Sequence, residues 1–197
     1  MGNREDLLVG ARRCLQEKGW ARTTVRDITS AAGGVSMAAI GYHFGSREAL
    51  LNAALMEAID EWGDRIGRTL ASHGASGSTP AERYEVMWAA IIASFPQDRT
   101  LWLATFEALL QAEHSDEIRR YLARSQTGGR RGLAALLLDA DEGDVDDATA
   151  RTLGAAQMAL FAGLMTQWLT DPDQAPGATD ITAGLRALAA IVGTPRT

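Results

Sequence analysis

The chain has 197 residues, room for one large or two small domains, and its 46% hydrophobic and 22% charged residues supply enough apolar material for a real core. No run of about 18 uninterrupted apolar residues occurs, so no membrane span is expected, and the N-terminal twenty residues scatter charge without a separate apolar stretch, unlike a signal peptide. The net charge of −6 argues against nucleic acid until it is divided: residues 1–50 carry seven Arg and Lys against five Asp and Glu, and the remainder twelve against twenty. Only the N-terminal part is therefore expected to approach phosphates, with the acidic bulk held away. Cys14 is the single cysteine, which excludes an internal disulfide and fits a cytoplasmic protein.

The periodicity then predicts helices in sequence. Leu7, Leu8, Ala11, Cys14 and Leu15 form one stripe at helical spacing, giving a first helix over about 4–18 that Gly19 ends. Val25, Ile28 and Ala32 share the face of a second helix over about 24–32, with Thr24 as cap and Asp27 as its capping-box partner. Gly33 and Gly34 supply a sharp turn, and Ser36 is expected to cap a third helix over about 36–43 whose inward residues are Ile40 and Phe44. Two short helices joined by a glycine turn are the helix-turn-helix signature, whose second helix lies in the DNA major groove.

Ser46 is placed to cap a fourth helix, in which Leu51, Leu55, Ile59, Trp62, Ile66 and Leu70 hold one stripe. The polar segment 73–79 is the best internal boundary, and Pro80 opens a fifth helix carrying Met87, Trp88, Ile91 and Phe95. A sixth holds Leu101 to Gln111, and a seventh starts near Ser115 with a kink expected at Gly128-Gly129. The acidic stretch DADEGDVDD resembles a calcium loop only faintly, with Asp144 where its glycine belongs and Ala150 where its closing glutamate belongs. It reads better as a turn in which Asp144 caps an eighth helix running to about Leu169. A loop and a ninth helix over about 180–192 follow. The fold expected is all-α, about nine helices: a helix-turn-helix domain over 1–47 and an effector-binding and dimerisation domain over 48–197.

At Thr24, Ile28, Ala32, Gly34, Val35, Ser36, His43, Phe44, Arg47 and Leu50 the sequence resembles the tetracycline-repressor (TetR) family of transcriptional regulators. The likeness covers about 45 residues with polar, glycine and apolar positions in the family's order; beyond them it is one of architecture. Three departures stand out: an extra turn glycine, Gly41 in place of the family's frequent tyrosine with Tyr42 one residue later, and Arg47 in place of lysine. The resemblance implies a homodimer bound to a double-stranded DNA operator, the last two helices forming the dimer, and release by a small effector.

Phosphate contacts position a protein on DNA, and base contacts read sequence. Thr24, Tyr42, His43 and Arg47 are the candidates for the first task. Ser36, Met37, Ala38 and Ala39 are candidates for the second; they offer apolar contact to thymine methyls and few strong donors, leaving shape readout much to do, with Arg22 or Arg26 near the groove edge. Met87, Trp88, Trp102, Phe106, Gln157 and Phe161 are the candidate effector residues, taken from an aromatic and methionine concentration on helices five to eight, with Glu107, Gln111 and His114 as further polar groups. Helix eight shows two apolar faces, a large one (Leu153, Leu160, Leu164, Trp168) and a small one (Ala155, Ala159, Ala162, Thr166). The small face, with Leu185 and Leu188 of helix nine, is the candidate dimer seam. No G-x-S-x-G, phosphate-loop or dinucleotide fingerprint is present and the three histidines lack metal spacing, so no catalytic residue, cofactor or metal is expected. Two rivals stay open here: a DNA-binding regulator governed by a protein partner, and an all-α enzyme.

Overall fold

The computed structural model describes residues 3–72 and 79–193. These residues form nine helices and no strand. In chain order they are α1 (Asn3–Lys18), α2 (Val25–Ala31), α3 (Met37–Phe44), α4 (Arg47–Ser72), α5 (Pro80–Ser94), α6 (Arg99–Gln111) and α7 (Asp116–Leu138). Next comes α8, a continuous helix built from Asp147–Thr149, a π-helical turn Ala150–Gly154 and Ala155–Thr170, and last α9 (Ala178–Val192). His73 and the rest of the expected boundary loop, apart from Thr79, lie outside the described residues.

Side chains set the helix starts. Thr79 and Glu82 form a capping box at α5, with the Thr79 N–H donating to Glu82 Oε2 at 2.6 Å, and the Ser46 hydroxyl accepts from the Ala49 N–H at 3.0 Å at the start of α4. Three expectations are corrected. Ser36 stands at the N-cap of α3 but makes no capping hydrogen bond. Asp146, not Asp144, caps α8 by accepting from the Thr149 N–H at 2.7 Å; Asp144 instead closes a 3₁₀ turn over Glu142–Asp144. Finally, α7 runs through Gly128-Gly129 without a break, because an interior glycine weakens a helix by only about 1 kcal/mol and packing against α8 holds the ladder.

Two cores share α4. The first joins Leu7, Leu8, Ala11, Cys14 and Leu15 of α1 to Trp20, Ile28, Ile40 and the first turns of α4 (Leu50, Leu51, Ala54, Leu55), with Ala104 and Ala108 of α6 as its roof. Burial pushes the Cys14 thiol up from its ordinary value, away from a reactive thiolate. The second core gathers Trp62 and Ile66 of α4, Met87, Trp88 and Ile91 of α5, Phe95, Trp102 of α6, and Leu164 and Met165 of α8. With 26 residues α4 is about 39 Å long, so one rigid rod carries the floor of both. Ion pairs tie the rod to its neighbours: Arg12 of α1 reaches Glu61 at 2.6 Å and Glu57 at 3.6 Å, and Arg65 reaches Asp98 at 2.7 Å.

In the N-terminal core α1 packs closely on the end of α2 at Gly10. A β-carbon on Gly10 would stand 2.8 Å from both the Ala32 nitrogen and the Ile28 oxygen. Both are backbone atoms, so the helices would have to part. Gly10→Ala should lower stability by about 1–3 kcal/mol, as overpacking of a close contact does, read as a fall in melting temperature.

Candidate functional site

The segment from Gly19 to Gly45 is built to hold one short helix outward. At its start, Thr24 Oγ1 accepts from the Asp27 N–H at 3.2 Å while Asp27 Oδ2 accepts from the Thr24 N–H at 2.9 Å, a full capping box. Lys18 Nζ donates to Asp27 Oδ1 at 2.5 Å. Lys18 first, then the Thr24 hydroxyl and amide, hold the Asp27 carboxyl well below the usual carboxylate range. Between α2 and α3 the backbone passes through φ of 81° at Gly33 and 86° at Gly34. The left-handed region is strained for residues with a β-carbon, which is the physical reason for two glycines in succession. The Gly34 N–H returns to Thr29 O at 2.9 Å and closes the turn.

Helix α3 buries Ala39 and Ile40 and half-buries His43 and Phe44. Its exposed strip is Ser36, Met37, Ala38, Gly41 and Tyr42, the last 86% exposed. The expectation that Ala39 faces outward is corrected: it lies beside Ile40 and one helical turn before His43, on the inward stripe. His43 meets Tyr42 edge-on at 4.8 Å between ring centroids, and the Arg4 guanidinium lies 5.2 Å from the centre of the Phe44 ring. Thr24 is exposed at the start of α2, as are Arg22 and Arg26.

Arg47 has a different place from the one expected. Its Nε donates to Thr23 O at 2.5 Å, one terminal nitrogen donates to Trp20 O at 2.8 Å, and the other meets Glu48 Oε1 at 2.9 Å. The side chain is only 22% exposed. Three of its five N–H groups are thereby engaged within the protein, because carbonyls of a tight turn beside a buried tryptophan require partners. Arg47 holds the turn that delivers α2. From the other side, the Ala21 N–H donates to Glu107 Oε2 of α6 at 2.8 Å.

The second core brings Met87, Trp88, Trp102, Phe106 and Phe161 into one cluster, and Gln157 is buried beside it, accepting from the Tyr84 hydroxyl at 3.1 Å. Phe161 is its half-buried centre, 5.3 Å from Trp62, 5.9 Å from Phe95 and 5.3 Å from Trp102. The other polar candidates lie elsewhere: Gln111 and His114 are exposed, and Glu107 faces the N-terminal turn. Sequence reasoning missed Trp62 and Tyr84. Trp62 was legible only as one member of a core stripe, although its position on that stripe next to Ile66 marks the point where α4 leaves the first core. Among the described residues four buried side-chain polar atoms lack a hydrogen-bond partner, and three are indole nitrogens of this cluster: Trp88, Trp102 and Trp168. An unpaired buried donor costs about 1–3 kcal/mol.

The third group lies on the outside. In α8 Ala159, Ala162 and Thr166 are exposed and Ala155 half-buried; in α9 Leu185 is half-buried, and Leu188, Ile191 and Val192 are 54%, 73% and 82% exposed.

A family model described as bacterial regulatory proteins of the tetR family matches residues 7–54, and one described as the C-terminal part of BetI-type transcriptional repressors matches residues 80–193, more than half of the chain. The chain belongs to the tetR family. A similar protein is the HTH-type transcriptional repressor AcnR of Corynebacterium efficiens, 30% identical over 138 residues that span 66% of this chain and 69% of AcnR. Among solved structures, a TetR-family regulator from Rhodococcus sp. superposes with a TM-score of 0.65 at 24% identity, covering 95% of this chain and 98% of its own. The multidrug binding protein EbrR complexed with proflavin superposes with a TM-score of 0.62 at 25% identity, covering 95% and 99%. This tetR-family chain is thus a transcriptional repressor with a DNA-binding domain, not an enzyme. Among its described residues no helix is long and apolar enough to cross a membrane.

The capping box makes an acid-sensitive joint. Asp27 is depressed in the folded chain, so the folded state binds fewer protons than the unfolded state as pH drops below the usual carboxylate range. Its stabilisation is therefore present at neutral pH and lost on acidification through the folded value. Glu82 and Asp146, lowered by their hydrogen bonds to Thr79 and Thr149, act in the same direction. Asp27→Asn should melt lower than the parent chain at pH 7, and the gap should narrow steadily below pH of about 4. Melting curves across pH 2–7 would check this; a gap that persists unchanged at pH 2 would remove Asp27 from the account.

Proposed function

We propose that this tetR-family protein represses transcription as a homodimer on a palindromic operator and is released when a small, largely apolar molecule binds in the aromatic cluster. One observation carries the DNA half: α3 leaves Ser36, Met37, Ala38, Gly41 and Tyr42 open to solvent while its other face is anchored in the core. Residues 1–47 would meet the DNA and residues 48–197 the effector and the partner subunit, with the first turns of α4 serving both. Met37 and Ala38 offer apolar contact to thymine methyls, and Gly41, lacking a side chain, lets the helix backbone sit close to the groove floor. Thr24, Tyr42 and His43 would contact phosphate, joined by Arg22 and Arg26 at the edge.

The effector half is supported by the cluster itself and by the solved complex of EbrR with proflavin, a structure of similar fold. A ligand that prefers one of two arrangements shifts the equilibrium between them by its difference in affinity. Tilting α4 would change the spacing of two recognition helices that must match successive major grooves about 34 Å apart. The dimer half is supported by the exposed small face of α8 and the exposed apolar end of α9, which together can complete a four-helix seam with a second copy.

Selection of bound DNA from a random pool by the purified protein should return a palindrome; enrichment of no sequence would refute operator recognition. Arg26→Ala should weaken binding to all sequences alike and reduce the slope of log K against log salt by about one, whereas Arg47→Ala should lower affinity and melting temperature with the slope nearly intact. Equal slopes for both variants would return Arg47 to the phosphates. Ala159→Arg should yield monomers in sedimentation velocity and a collapse of operator affinity. A fully dimeric Ala159→Arg with normal affinity would move the seam elsewhere.

A further inference from the structure

We infer that Arg4, in the first turn of α1, is a phosphate-contacting residue of the DNA interface, and that the Phe44 ring holds its guanidinium ready for that contact. The inference rests on the DNA reading above and adds to it a residue from outside the helix-turn-helix. Residues 1–50 carry seven Arg and Lys, and four of these have carboxylate partners. Arg12 pairs with Glu57 and Glu61, Arg13 with Glu17, Lys18 with Asp27, and Arg47 with Glu48. Arg22 and Arg26, placed above at the groove edge, are two of the remaining three. Arg4 is the third: it is exposed and, among the described residues, forms no ion pair.

What Arg4 does meet is a ring. Its guanidinium carbon lies 5.2 Å from the centroid of Phe44, the last residue of α3. Along the end of α3, Tyr42 meets His43 at 4.8 Å and His43 meets Phe44 at 6.5 Å, both edge-on. Arg4 therefore extends a row that starts at the exposed Tyr42, and Tyr42 and His43 are two of the phosphate contacts proposed above. A separate helix thus brings a permanent charge to the end of α3, where α3 itself supplies a hydroxyl and an imidazole. The ring attracts the charge without supplying an oxygen acceptor, so the five N–H donors stay available. In that state they can take a phosphate bidentately. A side chain already ordered by a ring also gives up less freedom on binding. Glu5 and Glu57 share a shallow groove with Arg4, but Glu57 is turned to Arg12 at 3.6 Å, and Glu5 leaves the helix about 100° away.

The test is the salt dependence of binding by the full-length protein, measured on a duplex of arbitrary sequence and on the selected operator. Each phosphate contact contributes about 0.9 to the slope of log K against log salt. Arg4→Gln should flatten that slope by about 0.9 on both duplexes, so between about 50 and 200 mM salt it loses about 3.5-fold less affinity than the parent chain. Arg4→Lys keeps the charge and should regain the slope. Arg13→Gln, which removes a cation that already has a partner, should leave the slope as it is. Phe44→Leu keeps the charge and loses the ring. It should weaken binding about two- to fivefold in the parent chain and clearly less in Arg4→Gln, where no guanidinium is left to position. Parent-like slope in Arg4→Gln would overturn the inference. So would equal flattening by Arg13→Gln, which would reduce the effect to the general field, or a loss confined to the operator, which would put Arg4 on bases. Equal cost of Phe44→Leu in both backgrounds would make Phe44 plain core and overturn its positioning role. If Arg4→Gln flattens the slope while selection enriches no palindrome, the contact stands and the operator reading fails.

Discussion

The turn from Gly19 to Thr23 carries the most structural responsibility per residue in this chain. It leads into α2, and α2 leads to α3 through a turn that passes two left-handed glycines and is closed by the Gly34 N–H on Thr29 O. The turn has few internal hydrogen bonds and is held mainly from outside. Arg47 binds two of its carbonyls, Glu107 binds the Ala21 amide, and the Thr23 hydroxyl, buried, donates back to Gly19 O at 2.7 Å. Arg47 begins α4 and Glu107 sits on α6, so the angle at which α3 is presented is set by two helices whose far ends lie in the aromatic core. The helix-turn-helix unit is in this sense hung from the helices of the aromatic core.

That arrangement explains why α6 matters to both halves. On one side Ala104 and Ala108 roof the first core; on the other Trp102 and Phe106 enter the second. A movement of α6 of an ångström cannot be absorbed by a close-packed interior without shifting its neighbours. It would carry Glu107 with it and disturb the 2.8 Å hydrogen bond to Ala21. Together with α4, α6 gives two physically continuous routes from the aromatic cluster to the recognition helix, one through a charged hydrogen bond and one through a rigid rod.

Much of this was legible in the sequence, for identifiable reasons. Helix boundaries came from local signals that depend on neighbours in the chain: the Thr24–Asp27 box, the Ser46 cap, Pro80, the stripes of α1 and α4. Misreadings occurred where the deciding partner was distant. Three acidic residues near the start of α8 offer the same capping chemistry, and only the fold selects Asp146. Arg47 reads as a free cation beside a helix start until Trp20 and Thr23 are brought beneath it, 27 and 24 residues away along the chain. Ala39 carries too little side chain for its direction to show in a pattern. Trp62 was hidden by its own regularity, since a stripe records that a residue is buried without recording which core it enters. The three unpaired indoles were beyond sequence altogether, because satisfaction of a donor is a property of geometry.

The surface of α8 and α9 completes the physical picture. Val192, Ile191 and Leu188 stand well exposed on a helix whose opposite side packs on α5, with Thr179 donating to Glu85 at 2.7 Å. Beside them α8 presents Ala159, Ala162 and Gly163 to solvent. Apolar surface of this kind is costly in water and is removed by association. Small residues on α8 add a geometric preference, since they allow a second helix to approach closely, and a two-fold seam would use every such contact twice, residue i meeting j as j meets i. The same helix carries Phe161 and Leu164 inward, so the proposed seam and the aromatic core are two faces of α8. In the dimer proposed above, a change in the packing of Phe161 would therefore act on the spacing of the two subunits as well as on the tilt of α4, and both would determine whether two recognition helices can engage one duplex.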